Sequence, residues 1–440
     1  MYKGISAGLL DKFSSAYQGD PVNALRTHAV VKCGLSDAAV NQREDIDNPM
    51  IFEVELESGK ITNQKSSGRC WLFAGLNTMR YEIMKKLNLE TFELSQSYQM
   101  FYDKLEKANY FLESILATLD EPLSGRLVNH LLTAPVQDGG QWDMFVALVE
   151  KYGCVPKSVM PESFHSSNSG MMNKMLTLKL REDAMQLRAM ERDLDKQRAA
   201  KEEMLCEIYR MLCICLGEPP RAFDVSFRDK DKNFITERNI TPLAFFEKYV
   251  GQALDDYVSI INAPTADKPY GKTYTVSFVG NVAGGRSIKY LNLPSDELKR
   301  MAIAQLKDGQ PVWFGCDVGQ MLMRDRGIMG MNTFDYDGVL GVHFGLDKAQ
   351  RLDYGESMMT HAMVFLGVHL VDGKPVRWKV ENSWSDKSGQ DGYYLMTDAW
   401  FDEYNYQVVV NKKYLTDEQR AALDQEPVKL APWDPMGSLA

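Results

Sequence analysis

The chain has 440 residues, 45% hydrophobic and 25% charged, enough to bury a large core and more than a usual single domain. Its net charge of −10 argues against the broad basic surface that general nucleic-acid binding needs. No stretch approaches the ~20 apolar residues that cross a bilayer, Met1 to Asp20 lacks a signal-peptide core, and the seven scattered cysteines suit reduced thiols in a cytoplasmic location.

Residues 1 to about 60 mix short apolar runs with turn signals such as Asp47-Asn48-Pro49. From Cys70 the pattern becomes helical: Leu72, Leu76, Met79, Ile83 and Leu87 recur at spacings of three and four, which puts them on one helix face. Gly68 suits the loop feeding that helix. Residues 134 to 165 are loop-rich, apart from a short helix expected over Trp142 to Tyr152 and ended by Gly153. Met171 to Leu216 is the longest helical signal, free of Pro and Gly and charged in both signs. It reads as a hairpin or coiled-coil arm standing off the core, stopped by Gly217-Glu218-Pro219-Pro220.

Downstream the texture turns to strands at Tyr274 to Val279, Val312 to Cys316, His361 to His369 and Arg377 to Val380. A last helix is expected over Thr416 to Leu423. Pro427, Pro432 and Pro435 then forbid a sustained helix, so the end of the chain should be an extended arm.

A cysteine in the first turn of a helix feels the positive end of the dipole, which favours thiolate over thiol. Cys70 sits there, although a free cysteine is as readily a small buried hydrophobe. His361 and Asn382 lie symmetrically about Asp372-Gly373, within about one residue of the turn centre, so a hairpin folded at that turn sets them side by side. An amide beside an imidazole can fix its tautomer, or the two can merely satisfy each other at a sheet edge. Cys206, Cys213 and Cys215 do not share a helix face, and the remaining histidines lack ligand spacing, so no metal site is expected.

Several motifs together resemble a known family. Gln64 six positions before Cys70, Gly68-Arg69-Cys70-Trp71, Thr360-His361-Ala362, Asn382-Ser383-Trp384 and Asp138-Gly139-Gly140 occur in the order found in papain-like cysteine peptidases. The resemblance implies Cys70 as nucleophile, His361 as proton shuttle, Asn382 as its orienter and Gln64 in the oxyanion hole. It also implies Trp384 as a shield over the His–Asn bond, and Gly139 and Gly140 as a bare backbone ledge for substrate. Secreted members carry a disulfide cysteine three residues before the nucleophile, where this chain has Ser67. They also place the histidine ~130–150 residues after the cysteine, whereas 291 separate His361 from Cys70.

With that long insertion and the ending Ala431-Pro432-Trp433-Asp434-Pro435-Met436-Gly437-Ser438-Leu439-Ala440, the chain resembles the bleomycin hydrolase and bacterial aminopeptidase C family. The implied fold is α+β, papain-like, with a helical half, a β-barrel-like half and an inserted helical arm. Its expected parts are residues 1–166 with the Cys70 helix, 167–220 as a helical hook, 221–425 carrying His361 and Asn382, and 426–440 as an arm in the cleft. The implied activity is aminopeptidase action on peptides in a homohexamer without a cofactor, the Ala440 carboxylate facing the substrate's free amine. An endopeptidase on the same scaffold and a non-enzymatic oligomeric binding protein are the other readings. Neither a membrane nor nucleic acid is an expected partner.

Overall fold

In the computed structural model, which describes residues 2–251 and 253–439, the helix opened by Cys70 is the pivot of an α+β fold. The helices α1 (Ala7–Gly19) and α2 (Pro21–Cys33) lie before it in the chain; it is α3 (Cys70–Lys86), and α4 (Gln96–Ala117) and α5 (Trp142–Tyr152) lie after it. Leu72, Leu76, Met79 and Ile83 of α3 are buried as their spacing predicts, but so are Phe73, Ala74, Gly75 and Asn77. The helix is enclosed because it packs against α4 and α5 on one side and the sheet on the other. Gly75 permits the approach of α5: a Cβ there would lie 2.7 Å from the Phe145 ring, closer than a packed interior tolerates.

The long helical signal resolves into a hairpin of α6 (Gly170–Ala189) and α7 (Leu194–Leu216). It does not stand off the core. Met172, Leu176, Leu180, Ala184 and Leu187 on one helix, and Met204, Ile208, Leu212 and Leu216 on the other, are buried, and both helices pack on α4. The break at 190–193 contains neither Gly nor Pro. Asp193 makes it, its side chain accepting from the Lys196 backbone N–H as the cap of α7.

Five strands form the centre of a twelve-stranded sheet: β1 (Tyr257–Ile261), β2 (Val312–Cys316), β3 (His361–Val371), β4 (Lys374–Glu381) and β5 (Asn405–Asn411). Their spatial order is β1-β5-β2-β3-β4, with antiparallel neighbours throughout. The β3–β4 turn is two residues long, and Asp372 and Gly373 have φ of 52° and 78°. Those signs are what a type I′ hairpin requires. After α8 (Asp417–Leu423), β6 (Val428–Leu430) adds parallel to the strand Thr273–Val276 and starts the C-terminal arm. Among the described residues no helix is long and apolar enough to cross a membrane.

The helical part and the sheet are joined by a buried ion pair. Arg80 on α3 meets Glu381 at the end of β4 at 2.7 Å, both side chains 2% exposed, and Asn77 donates to the same carboxylate oxygen at 2.6 Å. Removing one partner strands the other charge without solvent, a loss of about 3–5 kcal/mol. Glu381→Leu should therefore lower the free energy of urea unfolding by that amount, and adding Arg80→Met should recover most of it. Equal stability of Glu381→Leu and parent would show that the pair does not hold the halves together.

Candidate active site

Residues 62–64 run antiparallel to 383–385: Gln64 N–H donates to Ser383 O at 2.8 Å and Ser385 N–H to Thr62 O at 3.1 Å. This short pairing carries the loop before α3 to the segment after β4. Cys70 begins α3, His361 begins β3, and Asn382 follows β4 directly. The ladder pairs Val364 with Glu381, which sets His361, three residues earlier, beside Asn382 and Trp384.

The Nε2–H of His361 donates to Asn382 Oδ1 at 2.9 Å. The same oxygen accepts the Ser383 backbone N–H at 2.7 Å. Since that oxygen only accepts, the ring carries its proton on Nε2 and leaves Nδ1 as the basic nitrogen. The Trp384 ring lies 4.8 Å from the imidazole, centroid to centroid, and the Arg324 guanidinium stacks on Trp384 at 4.3 Å.

Burial governs the electrostatics. It pushes the Cys70 thiol up to about 11, against smaller lowering by backbone N–H groups that include Ala362. It pushes the His361 imidazole down to about 4, with the Asn382 bond acting the other way and Arg324 adding to the drop. Taken singly, burial disfavours the charged form of each group, and for Cys70 it opposes the thiolate-favouring pull of the helix dipole. A helix terminus contributes at most ~2 kcal/mol to a charge, which is less than the cost of a desolvated thiolate. The thiol lies against Ala362, the residue after His361, and among the described residues no hydrogen bond joins it to the His361 ring.

The Gln64 amide is fixed at both ends. Its Oε1 accepts from Ser383 Oγ at 2.6 Å and its Nε2 donates to Ser67 O at 2.8 Å, which leaves one amide N–H over. Ser383 was invisible as a functional residue in the sequence, although it sits inside the Asn382-Ser383-Trp384 motif. Gly140 is buried against Trp71, whose ring would lie 2.4 Å from an added Cβ, so a packing demand alone requires glycine there. The Gly139 carbonyl accepts from the buried Lys107 ammonium at 2.6 Å.

The arm is folded onto the protein through residue 439. Asp434 pairs with Lys268 at 3.0 Å, Arg126 stacks on Trp433 at 3.9 Å, and Met436 is buried. Ser438 is held between two site-flanking residues: Gln141 Nε2 donates to its carbonyl at 2.6 Å, and its Oγ donates to Met359 O at 2.8 Å. Beside the arm lies a cavity of about 800 Å³ bordered by Lys107, Phe111, Phe278, Thr360 and Leu439. Ala440, the expected carrier of the terminal carboxylate, lies outside the described residues.

The model of the Peptidase C1-like family matches residues 4–437. Aminopeptidase C of Streptococcus thermophilus is 52% identical over 440 residues, 99% of each chain, and that of Listeria monocytogenes is 49% identical over 431 residues, 98% of each. The crystal structure of PepW from Lactobacillus rhamnosis HN001 superposes with a TM-score of 0.98 at 52% identity and covers 100% of both chains.

With burial dominating, the His361 ring should titrate near pH 4 by NMR, not near 6.5. Asn382 is the group that raises this value, so Asn382→Ala should move the midpoint lower still. A midpoint near 6.5 in the parent would contradict the dry, closed site.

Proposed function

The chain belongs to the Peptidase C1-like family, and from that membership we propose that it is a cysteine aminopeptidase releasing N-terminal residues through a thioester on Cys70. The observation that carries the reading is the His361–Asn382 bond, which leaves a basic Nδ1 in the strand that packs on the Cys70 helix. The aminopeptidase C relatives support the exopeptidase part.

The Cys70 proton is taken up by His361 Nδ1, and Sγ attacks the substrate carbonyl. The carbonyl oxygen becomes an oxyanion, stabilised by the Cys70 backbone N–H, unpaired at the helix start, and by the spare N–H of Gln64. The imidazolium then protonates the leaving amine as the C–N bond breaks, which leaves a thioester. Water gives a proton to Nδ1 as its oxygen attacks the thioester, and that proton returns to Sγ as the acid departs. Asn382 keeps the ring in one tautomer throughout, and Trp384 screens the His–Asn bond from water. No metal or organic cofactor has a step here.

In this reading the arm gates the cleft. Ser438 is bonded to Gln141, one residue after the Gly139-Gly140 ledge, and to Met359, two residues before the His361 strand. The Ala440 carboxylate would then pair with the substrate ammonium. The cavity beside the arm favours a second reading, an endopeptidase that admits longer chains. Self-assembly into a homohexamer is supported by α1 and α2, which bury no residue and expose Leu10, Phe13, Leu25 and Val31. Seven free cysteines support a reducing cytoplasmic setting.

Cleavage of a free-amine aminoacyl amide and its N-acetylated form, by full-length protein and by a chain lacking Ser438 to Ala440, tests the gate while leaving Met436 in place. The full-length protein should prefer the free amine by about 10–100-fold in kcat/KM, the worth of one charged hydrogen bond, and truncation should erase that preference. For the free-amine substrate kcat/KM should also fall above pH of about 8, where an α-amino group loses its proton. Equal cleavage of both substrates by the full-length protein would favour the endopeptidase.

A further inference from the structure

Asp138 has no step in that scheme, yet four groups converge on its carboxylate. The Gly68 backbone N–H donates at 3.1 Å, the Lys104 ammonium of α4 lies at 2.6 Å, and Asn173 Nδ2 of α6 donates at 2.8 Å. Ser169, which precedes α6, donates through its hydroxyl. The Asp138 carbonyl in turn accepts from Trp71 Nε1 at 2.8 Å. Burial alone would raise the acid, but Lys104 and these bonds hold it well below the usual carboxylate range.

The backbone on either side of Asp138 is clamped as well. Lys107 Nζ donates to Gln137 O at 2.9 Å and to Gly139 O at 2.6 Å. On the facing loop, a Cβ on Gly68 would lie 2.9 Å from the Asp138 Cβ, so the two chains touch. Ser67 bonds to Gln64 and Arg69 of its own loop. The direct hydrogen bonds from the Gly68–Trp71 segment to the ledge therefore run through Asp138, by its carboxylate to Gly68 and by its carbonyl to Trp71.

We propose that Asp138 is a positioning residue that fixes the spacing between the Cys70 loop and the Gly139-Gly140 ledge. A substrate lies on the ledge while its carbonyl meets Sγ and the oxyanion donors, so that spacing sets attack geometry. An error of about 1 Å in such geometry costs on the order of 10²-fold in rate. Ser169 and Asn173 extend the same brace to the root of the α6–α7 hairpin, which makes the hairpin part of the site's scaffold. The inference rests on the Cys70 peptidase reading.

The test uses a Lys104→Met background, so that no unpaired ammonium is left buried when the acid is removed. In it, Asp138→Asn keeps an acceptor for Gly68, and Asp138→Leu keeps the bulk without the acceptor. The Asn form should cleave the free-amine aminoacyl amide within a few-fold of the background. The Leu form should lose about 30–100-fold in kcat/KM, shared between a higher KM and a lower kcat, well below its melting temperature. Should the Leu form not fold, Asp138→Ala in the same background asks the same question with less strain. Equal kcat and KM in the forms with and without the acceptor, even with a lowered Tm, would overturn the proposal and leave Asp138 as a stability residue. Absence of cleavage by the parent chain would instead count against the peptidase reading itself.

Discussion

Arg80 and Glu381 meet at 2.7 Å inside the protein, and the site depends on that contact. Cys70 belongs to the helical part and His361 with Asn382 to the sheet, so a reactive geometry exists only when the two are locked in register. Arg80 lies on the Cys70 helix, and Glu381 immediately precedes Asn382. The pair thus couples the Cys70 helix to the residue that bonds the His361 ring. Two charges out of water gain little net stability over an apolar pair. What they add is intolerance of misplacement, since a small slide of one layer past the other leaves both charges unpaired.

The same low dielectric acts on the chemistry. Cys70 and His361 are buried, so neither bears a charge alone at low cost, and in the proposed mechanism the proton is exchanged within the pair. Donors aimed at the oxyanion are worth more in such a site than in water. The supporting contacts are layered outward: Ser383 bonds Gln64, Asn382 bonds His361, and Lys104 and Lys107 bond Asp138 and the Gly139 carbonyl.

Local signals made much of this legible. The Asp372-Gly373 turn gave the hairpin and, with it, the proximity of His361 and Asn382. Gly153 ended the helix over Trp142–Tyr152 where expected, and Thr416 capped the last helix. Five motifs in order pointed to the site. Long-range electrostatics were not legible: Arg80 and Glu381 are 301 residues apart, and neither carries a motif. The break at 190–193 was hidden because it uses an aspartate cap and no Gly or Pro. The burial that opposes the helix dipole at Cys70 was not legible either, because a helix terminus is visible in sequence and desolvation is not. Asp138 appeared only as the residue before two glycines, its partners scattered over Gly68, Lys104, Ser169 and Asn173.

If Cys70 is the nucleophile, chemistry and not accessibility makes it reactive. Cys70 is 2% exposed, whereas Cys33 and Cys206 are open to solvent. The most direct measurement is to treat the protein with one equivalent of an aminoacyl chloromethyl ketone bearing a free amine, then map the label by peptide mass spectrometry and assay residual activity. A Cys70 nucleophile should give a single adduct on Cys70, loss of activity in step with labelling, and no such adduct in His361→Ala. Label distributed over Cys33 and Cys206, with Cys70 untouched and activity intact, would contradict it.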